Sequence, residues 1–271
     1  MVIDVIRKII TVIAVIMLVA GLGLLLFPIV SNTLGTLTAN SQTEKFDNQI
    51  ENLVSDKTYK EALSNGEIDK DAYPIDKEGK RTSDMPKLFK EDLERLFKDS
   101  VEYNENLREN QASLLTNDYS YTVPSLNLSN YGINDGIYGY VSAPSIDMKL
   151  PVYLGANDLT MSYGVAHLTY TSLPVGGERS NVVLAGHTGY VGRIFFDNLR
   201  NLKLGDTVKF RNYWTTIEYE VVKTEIHKPS DSQNIFINDD RDLLTMITCI
   251  SNGSGDFDRY YVICESKASK K

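Results

Sequence analysis

Three histidines and two cysteines make up the whole inventory of side chains that titrate near neutrality or bind soft metals. Cys249 closes the run LLTMITC, and Ser251-Asn252-Gly253-Ser254-Gly255 follows it, so its thiol would stand at a strand end beside an accessible loop. A thiol attacks as thiolate; with an ordinary pKa near ~8.5 it stays mostly protonated at neutral pH unless an imidazole or a fixed cation lies close. His187 ends a second apolar run, VVLAGH, ahead of Thr188-Gly189. Arg259 comes ten residues after Cys249, at the start of the last strand-like run. Two adjacent strands joined by the intervening loop would set Arg259 beside Cys249, where a guanidinium donates to an oxyanion without ever losing its charge.

Each of these residues also has a plain structural alternative. A cysteine in an apolar strand is most often a small core residue, and Arg259 could be solvated. Cys264 lies five residues past Arg259, so strand alternation turns it to the opposite face. A Cys249–Cys264 disulfide is the other arithmetic option. His167 and His227 read as satisfied structural histidines. No C-x-x-C or H-E-x-x-H cluster suggests a metal, and neither a G-x-S-x-G elbow nor a glycine-rich phosphate loop occurs.

The elements that would carry these residues follow from the pattern. From residue 137 onward, short runs rich in Val, Ile, Tyr and Thr alternate with Gly, Pro and Asn. Candidate strands are 137–142, 146–154, 181–187, 206–211, 216–226, 243–249 and 258–265, which at this spacing point to a sandwich or closed barrel. Upstream, Ser41 and Glu44 have capping-box spacing, and Phe46, Ile50, Leu53 and Val54 recur at helical intervals. Residues 31–40 read as a polar spacer and 64–84 as a loop. Pro86 suits a first helical turn, after which Phe89, Leu93, Leu96, Phe97, Val101 and Leu107 form an amphipathic stripe. These helices either pack on the domain or form a stalk.

Residues 9–30 hold 22 consecutive uncharged, mostly apolar residues, enough for a helix to cross a bilayer. Arg7 and Lys8 precede them, favouring a cytoplasmic N-terminus for residues 1–8. The run exceeds the core of a cleaved signal peptide, and no A-x-A site follows it. The remainder is expected outside the cell, as residues 31–130 (a helical region) and 131–271 (a β domain). A net charge of −8 without a basic stripe argues against nucleic-acid binding.

Three separated blocks, in order, resemble the sortase family. LLTMITC with its loop and DRYYVICES resembles the TLxTC…R block, and NVVLAGHTG the block around the family's histidine. YGVAHLTYTSLPVGGERSNVVLAGHTG is most similar to the class C, pilus-building sortases, while IYGYVSAPSIDMKLPVYLGA resembles their first two barrel strands and GRIFFDNLRNLKLGDTVKF the segment after the histidine. The likeness covers about residues 100–265. It implies a mostly β fold: a closed eight-stranded sortase-type barrel with N-terminal helices and one transmembrane helix. It further implies that Cys249 attacks the Thr–Gly bond of an LPxTG-like sorting signal, that His187 is the acid/base in a reverse-protonated pair, and that Arg259 anchors the oxyanion and substrate. The acyl-enzyme would be resolved by an amine, a pilin lysine or a peptidoglycan precursor. The resemblance implies no organic cofactor, and no acidic cluster here calls for the calcium that supports some class A members.

Two departures matter. Class C members usually carry an Asp-Pro-aromatic lid; after YNENL this chain reads LLTNDYSYTVP, so Asp118 and Tyr119 supply an acid and an aromatic without the proline. Asp84-Met85-Pro86 is a second acid-plus-apolar candidate, on the other side of YNENL. Class C members also often carry a C-terminal transmembrane helix, and none is read here. Wall anchoring therefore stands beside pilin polymerisation. Outside the chemistry, the rivals are a membrane-tethered binding domain without catalysis and a hydrolytic cysteine protease.

Overall fold

A computed structural model of the protein describes residues 2–54, 57–115, 120–231, 235–237 and 240–268. Eight strands close into a barrel: β1 (Ile137–Ala143), β2 (Met148–Leu154), β3 (Val165–His167), β4 (Ser180–Ala185), β5 (Thr207–Arg211), β6 (Thr216–His227), β7 (Asp242–Ser251) and β8 (Phe257–Ser266). Their order around the barrel is β1-β2-β3-β4-β7-β8-β6-β5, with β5 returning to β1. Most neighbours are antiparallel; β2 with β3 and β4 with β7 are parallel. The fold is thus mostly β with N-terminal helices, as the sequence resemblance implies.

Alternation along the strands sorts side chains into two sets. Val182, Leu184, Leu244, Met246, Val262 and Cys264 point inward and join the main core with Val141 and Phe210. Val183, Ile247 and Tyr261 point outward and, with Leu168 and Ile235, form a second cluster on the barrel wall. Leu115 and Tyr121 pack against that cluster. The lid candidates Asp118 and Tyr119 fall between those two residues, outside the described residues.

Among the described residues, four α-helices precede or interrupt the strands: α1 (Val2–Glu51), α2 (Tyr59–Ser64), α3 (Lys90–Leu114) and α4 (Asp158–Tyr163). The 31–40 segment is not a spacer, and Ser41–Glu44 is not a helix start: both lie inside α1. Thr33, Thr36 and Thr38 return their hydroxyls to the carbonyls four residues back, so local polar groups are satisfied within the helix. Beyond that stretch Ala39, Thr43 and Phe46 are buried, and this tertiary burial holds the continuation in place. The first part of α1 is apolar all round and exposed, long enough to cross a membrane.

Helix α3 starts later than Pro86 implies, at Lys90, with Phe89 as its cap residue and buried in a satellite cluster with Ala62, Ile68 and Ala72. Asp84-Met85-Pro86 leads into this cluster, where the Lys87 N–H reaches the Ala72 carbonyl at 2.8 Å. The 64–84 loop is stitched by two short bridges, Ile68–Pro74 and Ile75–Arg81. α3 packs on the barrel and is not a stalk. Its buried face includes polar residues that the apolar stripe omits: Asn104 caps both backbone groups of Leu173, and Gln111 binds the carbonyls of Tyr170 and Ile235 and the N–H of Ile237. Buried amides with each hydrogen-bonding group paired cost little and fix register.

Candidate active site

β7 runs between β4 and β8, and this position brings the chemistry together. On one side, Cys249 pairs with Arg259 across the antiparallel β7–β8 ladder. On the other, β4 runs parallel to β7 with Ala185 opposite Ile247. Gly186 N–H extends that ladder to the Ile247 carbonyl (3.1 Å), and the Thr248 hydroxyl donates to the Gly186 carbonyl at 2.7 Å. His187 follows two residues after the last paired position of β4, on the loop that leaves the same end of the barrel as Cys249. Neighbouring strands lie about 4.8 Å apart, and Cys249 and Arg259 face each other across that spacing. Cys249 and Arg259 share the parity of the outward-facing residues, Cys249 with Ile247 and Arg259 with Tyr261.

The Arg259 guanidinium donates from Nη1 to Cys249 Sγ at 3.3 Å. Both side chains, like His187, are half-buried, open to a substrate and partly shielded from water. The guanidinium fork beside the sulfur can receive negative charge developing on a carbonyl oxygen. Cys264 differs: it is fully buried in the barrel interior, and that burial pushes its thiol far above the ordinary range. Both cysteines are free. Cys264 pairs with Leu244, so Cys249 lies five positions along the strand, about 17 Å away and on the other face.

The loop after β4 shapes the histidine's surroundings. The His187 ring stacks on Tyr190 (centroids 5.3 Å apart, planes at 15°) and tilts against Phe195 at 6.4 Å. Asp197 holds the turn, accepting from the N–H groups of Gly189 (2.8 Å) and Phe195 (2.9 Å). A Cβ on Gly186 would come within 2.7 Å of the Phe196 ring, so only glycine lets that ring pack under the strand end. Thr188 and Thr248 join hydroxyls at 2.6 Å.

Of the other two histidines, His167 is placed apart from this trio and His227 borders it. His167 is fully buried, with Nε2 against the Ser172 carbonyl (3.0 Å), and burial pulls its pKa down to about 4. His227 pairs with Arg259 from β6, on the side away from Cys249. Its hydrogen bond to Glu225, joined by one to Asp231 at 2.7 Å, holds its pKa above the ordinary value. Sequence reasoning missed Tyr190, Thr248, Gly186 and this neighbour of Arg259; only the Tyr190 position, three residues after His187, left a local signal. A cavity of about 580 Å³ between α4, the end of β2 and residues 123–136 is lined by Val123, Leu126, Tyr153 and Tyr163, and by none of the trio.

Comparison with known proteins agrees with this arrangement of strands. The sortase domain model matches residues 141–267. Sortase C from Clostridium perfringens SM101 is 30% identical in sequence, with a TM-score of 0.53 over 66% of this chain and 90% of that one. A C. perfringens sortase C structure with the C-terminal cell wall sorting motif aligns at 30% identity and a TM-score of 0.55, again over 66% and 90% of the two chains. Sortase D of Bacillus subtilis (strain 168) is 28% identical over 111 residues, 41% of this chain and 53% of its own length. The chain spans about half the length of the curated relatives it matches.

Proposed function

The chain belongs to the sortase family, and from that premise we propose that it is a membrane-anchored cysteine transpeptidase acting on an LPxTG-like sorting signal. Cys249 attacks the Thr carbonyl of the signal and the Thr–Gly bond breaks. His187 gives its proton to the departing glycine amine, leaving a thioester on Cys249. An incoming amine then attacks the thioester, His187 takes up its proton, and the thiolate departs as the amide forms. Arg259 orients the peptide and holds the oxyanion in both steps. The observation that carries this is the 3.3 Å approach of Arg259 to the Cys249 sulfur, with His187 two residues past the end of the strand that adjoins β7.

The proposed acceptor is a pilin lysine, consistent with the likeness to the two C. perfringens sortase C structures; the alternative acceptor is a peptidoglycan precursor that anchors proteins to the wall. Residues 9–30 of α1 are the proposed membrane anchor, with residues 31–130 and the catalytic domain, 131–271, on the outer face of a Gram-positive-type cell. Asp118 and Tyr119 are proposed as a lid. Leu115 and Tyr121, on either side of them, pack on the wall cluster of Ile247 and Tyr261, one outward step from Cys249 and Arg259.

Purified enzyme given an LPxTG peptide with both acceptors should form amide rather than free acid, and the favoured acceptor separates pilin joining from wall anchoring. Cys249→Ala should abolish cleavage; unchanged turnover by that variant would overturn the assignment.

A further inference from the structure

The loop that follows His187 lies against α1. A Cβ built on Gly35 would come 2.4 Å from the Gly192 carbonyl oxygen and 2.9 Å from Arg193 Cγ, and one on Gly192 would meet Ser31 Cβ at 3.8 Å. The two backbones therefore touch, and a side chain at Gly35 would force them apart. This contact has a defined height. Val30 is the last residue of the uncharged apolar run, and Gly35 lies five residues later, about 7.5 Å further along a helix axis. The headgroup layer on each side of a bilayer is about 5–7 Å deep. If residues 9–30 span the membrane, Gly192, seated between Ser31 and Gly35, lies level with the headgroups.

The loop's composition suits that level. Tyr190, Val191 and Ile194 are 38%, 72% and 40% exposed, and Leu34 and Leu37 on the adjoining helix are 58% and 59% exposed. Apolar side chains scattered singly over a surface are ordinary; three within five residues, beside an exposed helical pair, form a patch. Arg193 donates to the Tyr163 carbonyl at 2.8 Å and lies over the Tyr163 ring, placing a cation and an aromatic beside the patch, a pairing typical of membrane interfaces. The loop cannot easily swing away, because Ala39, Thr43 and Phe46 seat the same helix on the domain and Gln42 bonds the Tyr153 hydroxyl at 3.1 Å.

We propose that Tyr190–Ile194 is a second membrane contact, dipping Val191 and Ile194 into the boundary between headgroups and acyl chains. This rests on the anchor assignment for residues 9–30. Because Tyr190 stacks on His187, the contact ties the active site to the bilayer surface and turns it toward substrates held there.

The test uses the full chain in phosphatidylcholine vesicles whose acyl chains carry bromine either near the headgroup or near the chain end. Trp214, the single native tryptophan, is first replaced by Phe; its indole nitrogen has no hydrogen-bond partner among the described residues. In that background Leu18→Trp reports the anchor, and Val191→Trp and Ile194→Trp each report the loop. Expected are loss of Leu18→Trp fluorescence mainly to deep bromines and loss of both loop reporters' fluorescence mainly to shallow ones. Quenching at Leu18→Trp with none at either loop position overturns the second contact while leaving the anchor intact. No quenching at any of the three positions overturns the anchor, and the loop contact with it.

Discussion

At the scale of single residues, the proposed chemistry depends on a geometry that charge alone does not supply. Arg259 reaches Sγ with one limb of a planar fork, leaving its other donors for a peptide oxygen. Arg259→Lys keeps the charge and removes the fork, and should cost about 10²-fold in kcat/KM for an LPxTG peptide, the usual cost of an oxyanion donor; a loss under two-fold would contradict the role. Spacing along the chain suggests that Arg259 can return to Cys249, because a ten-residue gap fits two strands and a loop. It does not separate Cys249 from an ordinary core thiol; the family motif does that. It also cannot show His227 beside Arg259, since that pairing depends on β6, more than thirty residues earlier in the chain.

At the scale of elements, the site is a property of strand order. His187 follows β4 and Cys249 lies on β7, strands separated by more than fifty residues, and the parallel β4–β7 pairing brings those two segments together. No local pattern encodes that register. β3 also escaped detection: Val165–His167 is too short to show alternation. The long strands that carry the site were legible because Val, Ile, Leu, Tyr and Thr recur along them. Gly186 sits at the join of β4 and its loop, with the buried Phe196 ring beneath it. Gly186→Ala should destabilise the protein by about 1–3 kcal/mol in urea unfolding, the usual cost of overpacking, and Phe196→Leu in the same chain should restore part of that loss. An unchanged midpoint would show that the ring yields freely.

For the whole molecule, two buried groups set opposing pH dependences. Burial raises Asp242, which accepts from Ser180 at 2.8 Å, to about 6. Its folded pKa exceeds the unfolded ~3.9, so the native state holds the extra proton and stability falls as pH rises between about 4 and 6. His167 is depressed to about 4; the unfolded chain takes up its proton first, so stability falls as pH drops from about 6.5 to 4. The two slopes offset each other. Asp242→Asn removes one of them, and should gain stability relative to the parent protein as pH rises from 4 to 7, by up to about 3 kcal/mol. Parallel pH profiles for the two proteins would contradict the assignment. The closed barrel and the apolar N-terminal helix were legible from periodicity and family motifs; the helix's continuation through residues 31–51 was not, because it is held by burial of Ala39, Thr43 and Phe46 on a distant domain. The central claim is that Cys249 forms the covalent bond to substrate. Intact-mass analysis after mixing enzyme with an LPxTG peptide, followed by peptide mapping, should find a thioester on the fragment containing Cys249 that disappears when an amine is added. Product formed with no adduct on that fragment, or with an adduct on another residue, would contradict the account.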